Sequence, residues 1–140
     1  MSRRLGHRGY IGSRPYFGER VPQHVQNLVV RDFCERNGFT YLLSAAEYAM
    51  PGCYMVFEDV IQEAETLSGV VLYSIFMLPQ KKARRLDVVE RLLDAGVTLH
   101  GAVENIHVRD RNELAELELI WAMRMIEQTD DPAGKTSATA

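Results

Sequence analysis

Residues 8–26, RGYIGSRPYFGERVPQHVQ, carry the reading that decides the fold. Tyr10 and Ile11 are strand formers, and Gly12-Ser13 breaks the run. Pro22 suits the first turn of a helix, and Val25, Leu28, Val29 and Phe33 then recur at helical spacing. Between strand and helix lies a polar loop with Ser13, Arg14, Tyr16, Glu19 and Arg20. A loop in that position, after a first strand and before a first helix, is where open α/β sheets bind their ligands.

Working outward, the first strand is predicted over about 9–12 and the first helix over about 21–37, with Gly38 as its stop. Phe39–Leu43 reads as a second strand, Ser44–Gly52 as a loop, and a second helix starts near Cys53 with Val56, Phe57, Val60, Ile61 and Ala64 inward. Gly69–Met77 is the most continuous apolar run, as expected of a central parallel strand covered by helices on both faces. A third helix over about Lys82–Ala95, a fourth strand at Val97–Ala102 and a short fifth within Val103–Val108 follow. The last helix, about Arg111–Gln128, is amphipathic at first, but from Leu119 to Ile126 only Arg124 is charged. An apolar surplus of that kind needs a cover on more than one side. A second subunit is the expected cover, giving a homodimer or higher oligomer through residues 111–128.

This alternation predicts an α/β fold, a three-layer sandwich with a mainly parallel four- to five-stranded sheet. The single domain covers residues 9–128, between a flexible N-terminus at 1–8 and a disordered tail at 129–140. With 140 residues the chain is one domain's worth, and 46% hydrophobic and 25% charged residues are ordinary for a globular protein. A net charge of -3 gives no general attraction to nucleic acid. The basic groups Arg3, Arg4 and Arg8, and Lys81, Lys82, Arg84 and Arg85, read as solvated faces. Two cysteines without a signal peptide read as reduced thiols in the cytoplasm. No run reaches the roughly 18 apolar residues of a membrane span. No phosphate-binding glycine pattern calls for a cofactor, and no cysteine–histidine spacing calls for a metal.

The right-handed crossover rule brings the C-terminal ends of the first three strands to one edge, and the candidate residues follow from that. Ser13 and Arg14 would grip an anion, with Arg20 and the first helix's N-terminus close by. Arg14 could instead pair with Glu19. Tyr10, Gln23, Gln26 and Tyr73 complete the substrate-binding set, Tyr73 having core packing as its alternative. Glu47 with Tyr48 would transfer a proton, unless Glu47 only holds an arginine of the first loop. Ser13 and Ser74 join them as catalytic candidates. Cys53, at a helix start, is either an activated thiol or a small buried group, Cys34 is core, and His24 is either an acid–base group or a solvent-facing helix residue.

Two resemblances stand beside this reading. The first is to the catalytic domain of serine recombinases of the resolvase and invertase family. Gln26, Arg31 and Gly38 match the form Q-x-x-x-x-R-x-x-x-x-x-x-G of its first helix, Pro51-Gly52 precedes the second helix, and VTLHGAVENIHV (97–108) is similar to the strand pair before its long dimerising helix. The family's arginine-rich L-D-R-L-x-R motif has Ser74-Ile75-Phe76-Met77-Leu78-Pro79 in its place, and its nucleophile motif becomes Tyr10-Ile11-Gly12-Ser13-Arg14. Strand exchange is therefore not expected, since nothing there stabilises a transferring phosphoryl group. The second resemblance rests on GYIGSRP, GERVPQHVQNL and EYAMPGCYM, which look like strings of the sporadic carbohydrate cluster proteins. It implies a place in making modified bacterial surface sugars, acidic ones included, and no particular residues.

The resulting expectation is a small enzyme that binds an anionic sugar, sugar phosphate or nucleotide sugar and moves a proton, as in isomerisation or epimerisation. The alternatives are a non-catalytic partner of a sugar-modifying enzyme and a degenerate resolvase-like DNA-binding protein.

Overall fold

The computed structural model describes residues 4–13, 15, 19–50 and 52–130. In chain order these form β1 (Gly6–Gly12), α1 (Gln23–Arg36), β2 (Tyr41–Glu47), α2 (Met55–Gln62), β3 (Leu67–Leu72), α3 (Lys82–Asp94), β4 (Thr98–Gly101), β5 (Ile106–Val108) and α4 (Arg111–Asp130). The five strands make one sheet in the order β2-β1-β3-β4-β5. Neighbours from β2 to β4 are parallel, and β5 closes the edge antiparallel to β4.

Strand order dictates the layers. The chain steps from β1 to β2 in one direction, then back across β1 to β3 and on to β4. Right-handed connections therefore put α1 on one face of the sheet and α2 and α3 on the other. The core divides accordingly. Val30, Phe33 and Cys34 of α1 pack on Ile11, Val71 and Ala102, while Phe57, Val60, Val88, Val89 and Leu92 of α2 and α3 pack on Tyr10, Val70, Leu72 and Leu99. Alternate residues of β1 and β3 thus serve opposite cores, as a strand's period of two requires. Burial in the α1 core pushes the Cys34 thiol up to about 11, which keeps it protonated.

The parallel sheet with helices on both faces agrees with the sequence reading, and several boundaries move. β1 begins at Gly6, earlier than expected, because the residues before it are tied down. Arg4 donates to the carbonyls of Ala64, Leu67 and Ala95 at 2.6–3.0 Å, and Arg8 donates to Glu63 and to the Leu43 carbonyl. β2 runs on to Glu47, taking in residues expected to be loop. β3 stops at Leu72, because the chain turns into a short 3-10 segment at Ile75–Met77. The tail from 131 onward lies outside the described residues.

The basic run 81–85 also departs from expectation. Arg85 is buried: it forms a bidentate pair with Glu118 at 2.6 and 2.7 Å, reaches the carbonyls of Pro79 and Gln80, and lies 4.2 Å over the Trp121 ring. A planar, weakly hydrated guanidinium suits that place. It joins the start of α3 to α4, whose inner stripe Leu114, Leu117 and Trp121 is buried. The outer side of α4 is different. Leu119, Met123 and Ile126 are 66%, 63% and 59% exposed, so the apolar surplus seen in the sequence is an uncovered surface of the single chain.

Candidate functional site

Two polar centres lie beyond the C-terminal ends of the parallel strands. The first is built on Glu47, the last residue of β2, which is only 4% exposed. Its carboxylate accepts from the Tyr10 hydroxyl at 2.6 Å, from the backbone N–H groups of Val56 and Phe57 at 3.0 Å each, and from that of Tyr48 at 3.2 Å. The Cys53 thiol lies 3.9 Å away. The N–H groups of Val56 and Phe57 are among the orphan donors at the start of α2, so Glu47 caps that helix from another strand. Tyr10 is fully buried, edge-on to Phe57 at 4.8 Å.

This arrangement departs from the predicted roles. Glu47 was expected to move protons and Tyr10 to touch substrate; here the two are hydrogen-bonded to each other inside the core. Gln26 is also interior. Its amide donates to the carbonyls of Gly12 and Val21 at 2.6 and 2.7 Å and accepts from Gly12 N–H at 3.0 Å. That side chain therefore fixes the two ends of the loop between β1 and α1 and is buried as it does so. Tyr48 is exposed beside Glu47, and Gln23 is half-buried in the first turn of α1.

The second centre is open. Tyr73 and Ser74 follow β3, Val103 and Glu104 occupy the turn between β4 and β5, Glu19 comes from the first loop, and Phe76 and Arg124 of α4 close the wall. They line a cleft of about 170 Å³. It lies where strand order reverses, since β1 connects outward to β2 on one side while β3 sits on the other. Short backbone bonds hold its floor: Tyr73 N–H donates to the Tyr10 carbonyl, and Ala102 and Val103 donate to the carbonyls of Leu72 and Tyr73.

Glu104 organises this cleft. One oxygen accepts from the Ser74 hydroxyl at 2.7 Å and the other from Ile75 N–H at 3.0 Å, and Ser74 Oγ in turn accepts from Phe76 N–H at 3.1 Å. The turn has room to fold back because residue 101 is glycine. A Cβ there would lie 2.9 Å from the Glu104 carboxylate and would run into Ile75. Burial first, then the negative charges of Glu19 and Glu104, raise the Tyr73 phenol above its ordinary range and keep it protonated. Arg124 stacks 5.5 Å over Phe76 and lies 4.0 Å from Glu127.

The structure thus brings together Tyr73 and Ser74 of the predicted set, adds Glu104, Glu19, Phe76 and Arg124, and puts Glu47 and Tyr10 in a separate centre. Ser13 follows β1 in a bend, and Arg20 is exposed in the same loop. Arg14, the expected anion fork, lies outside the described residues. Sequence reasoning missed Glu104, whose one signal was a carboxylate between a glycine-bearing strand end and an asparagine turn. Asn105 holds φ 55°, a conformation that asparagine tolerates. Among the described residues no cluster of three or more metal-type side chains is placed to hold an ion. No helix among them is long and apolar enough to cross a membrane.

Comparison with solved structures shows the fold. The chain is similar to a resolvase family site-specific recombinase from Streptococcus pneumoniae, with a TM-score of 0.58 at 15% identity over 94% of this chain and 98% of that one. It is also similar to the N-terminal catalytic domain of TP901-1 integrase, with a TM-score of 0.60 at 15% identity over 89% and 98% of the two chains. The architecture is therefore resolvase-like, with a long C-terminal helix. No protein-family model and no curated protein matches the sequence.

Proposed function

We propose that this protein is a small carbohydrate-processing enzyme. It takes a single sugar-like ring into the cleft between Tyr73, Glu104 and Arg124. The observation that carries the reading is the composition of that cleft. Two carboxylates, a protonated phenol and a guanidinium surround an aromatic face at the switch point of the sheet. Hydroxyl groups of a sugar pair with carboxylates and phenols, while the apolar face of its ring lies on an aromatic side chain. A volume of about 170 Å³ suits one ring and leaves the rest of a larger conjugate outside.

Proton transfer at a sugar carbon needs a donor and an acceptor on the two sides of the reacting group. Tyr73 supplies the proton and Glu104, oriented by Ser74, accepts one. An acidic group on the sugar would turn toward Arg124, the guanidinium on the cleft wall. The place of the sporadic carbohydrate cluster family in surface-sugar biosynthesis supports an acidic sugar as the ligand. The outer stripe of α4, with Ala115, Leu119, Ala122 and Ile126 spaced by four, three and four residues, supports a second copy of the chain as its cover.

The test is thermal stabilisation by acidic monosaccharides, sugar phosphates and neutral sugars. Stabilisation that is lost in Glu104→Gln and Tyr73→Phe, both folded, is the expected result. A flat response across the panel contradicts the reading. The likeness to recombinases favours a second reading, binding to duplex DNA, but the carboxylates of Glu19 and Glu104 would repel a backbone phosphate at the cleft. Salt-sensitive binding to duplex DNA would establish that reading instead.

A further inference from the structure

Glu104 sits in the turn between β4 and β5, and the two strands of that hairpin face each other through histidines. His100 and His107 are cross-strand partners in the antiparallel register. Their Nδ1 atoms are 2.8 Å apart, with the rings nearly perpendicular at 78°. Two imidazoles at that distance share one hydrogen, so one nitrogen donates and the other accepts. His100 Nε2 lies 2.8 Å from Thr98 Oγ1, which is 3.4 Å from the Ser68 carbonyl. One arrangement of protons satisfies the whole chain. Thr98 donates to Ser68, His100 Nε2–H donates to Thr98, and His107 Nδ1–H donates to His100. In it the one free lone pair of His100 is used. A first added proton can stay shared if His107 moves its own hydrogen to Nε2, but with both rings protonated two N–H groups face each other at 2.8 Å and the pair breaks.

A third histidine stands behind the first two. His7 of β1 lies 5.3 Å from the His100 ring and stacks on Phe39 at 3.8 Å and 3°. Its Nδ1 is buried without a hydrogen-bond partner among the described residues. Gly69 leaves the space for it, since a Cβ there would lie 2.7 Å from His7 Nε2. Phe33 of α1 covers the group at 6.0 Å from His100 and 5.5 Å from His107. The charges facing it are few. Arg36 of α1 lies 5.9 Å over Phe33 and pairs with Asp32. Arg109 and Glu113, ahead of and within the first turn of α4, pair with each other at 2.6 Å. Burial brings His7 down to about 4. Burial, with help from His7, His107 and Arg109 and against Glu113, brings His100 down to about 3.

We propose that the His100–His107 pair, with His7 behind it, is an acid-operated latch on the cleft. Protonation drives β5 from β4, and the turn carrying Glu104 then lets go of Ser74 and Ile75. The inference concerns regulation of the cleft and rests on the sugar-binding reading only for its effect on a ligand. Its sign follows from linkage. An opened hairpin accepts protons near the ordinary histidine value of about 6.5, whereas the closed one refuses them until about 4 and 3. Opening is thus favoured about tenfold per pH unit for each histidine as pH falls below 6.5, and is untouched above 7.

Amide hydrogen exchange of the full chain without ligand, corrected for intrinsic rates, tests the latch between pH 7.5 and 5. Ile75 N–H reports the cleft, because it donates to Glu104. Val56 and Phe57, which donate to Glu47, are the control. Protection at residues 99–108 and at Ile75 should fall at least tenfold per pH unit below 6.5 while Val56 and Phe57 hold. In H107Q the slope should lessen, since glutamine takes no proton and its amide oxygen still accepts from a doubly protonated His100. In H7F the share due to His7 should vanish. Unchanged protection in the wild-type protein, or an equal loss at Val56 and Phe57, overturns the latch, and the wild-type result decides even where a variant does not fold. Because no ligand is present, failure of the sugar reading leaves this outcome unaffected.

Discussion

The centre on Glu47 and the cleft on Glu104 are built from the same parts and come out opposite. Each has a carboxylate at or beyond a strand end, a tyrosine beside it and at least one backbone N–H group aimed at it. At Glu47 the tyrosine hydroxyl turns inward to the carboxylate at 2.6 Å, three N–H groups fill the remaining acceptor positions, and the group is buried. At Glu104 two donors hold the carboxylate from one side, and the neighbouring Tyr73 is left half-exposed on the cleft wall. The comparison teaches that a polar residue at a strand's C-terminal end becomes a helix cap or a site according to whether the chain itself exhausts its hydrogen-bonding capacity.

Glu47→Ala should break the comparison most visibly. It removes the acceptor that the Tyr10 hydroxyl and two helix-start N–H groups share, and should cost about 2–4 kcal/mol of stability in denaturant unfolding. Glu47→Gln, which keeps an acceptor, should cost less. Neither should change which ligands the cleft takes. Gly101→Ala comes next, because its methyl would run into Ile75 and force the Glu104 turn away. It should lose about 1–3 kcal/mol and the ligand response together. Glu104→Gln should cost about 1 kcal/mol, since the amide must still meet Ser74 and Ile75, while abolishing stabilisation by ligand. Tyr73→Phe, the smallest structural change, should shift stability by less than about 0.5 kcal/mol. Its effect belongs to ligand binding and turnover.

Much of the architecture was legible because it rests on local patterns. The run GVVLYSIFM announced a central strand, Gly38 and Gly96 stopped their helices, and strand–helix alternation implied the parallel sheet. Its length was misjudged at Tyr73–Met77, where apolar residues continue but the backbone turns to meet Trp121, whose indole donates to the Ile75 carbonyl. Arg85 looked like part of a solvated run, because the partner that buries it, Glu118, is 33 residues away. The same limit applied at the site. Tyr73 and Ser74 could be placed at the sheet's edge from sequence, whereas the assignment of Tyr10 to Glu47 depends on β1–β2 register and on where α2 begins. Glu104 was missed because a short turn gives no periodic signal, and its value comes from folding back on β3.

Protein-observed NMR during titration with acidic monosaccharides and sugar phosphates puts the central claim to the most direct test. Concentration-dependent shifts are expected at Tyr73, Ser74, Ile75 and Glu104, with Glu47, Tyr48, Val56 and Phe57 unmoved. Shifts centred on Tyr48–Val56, or none at either centre across the whole panel, would contradict it.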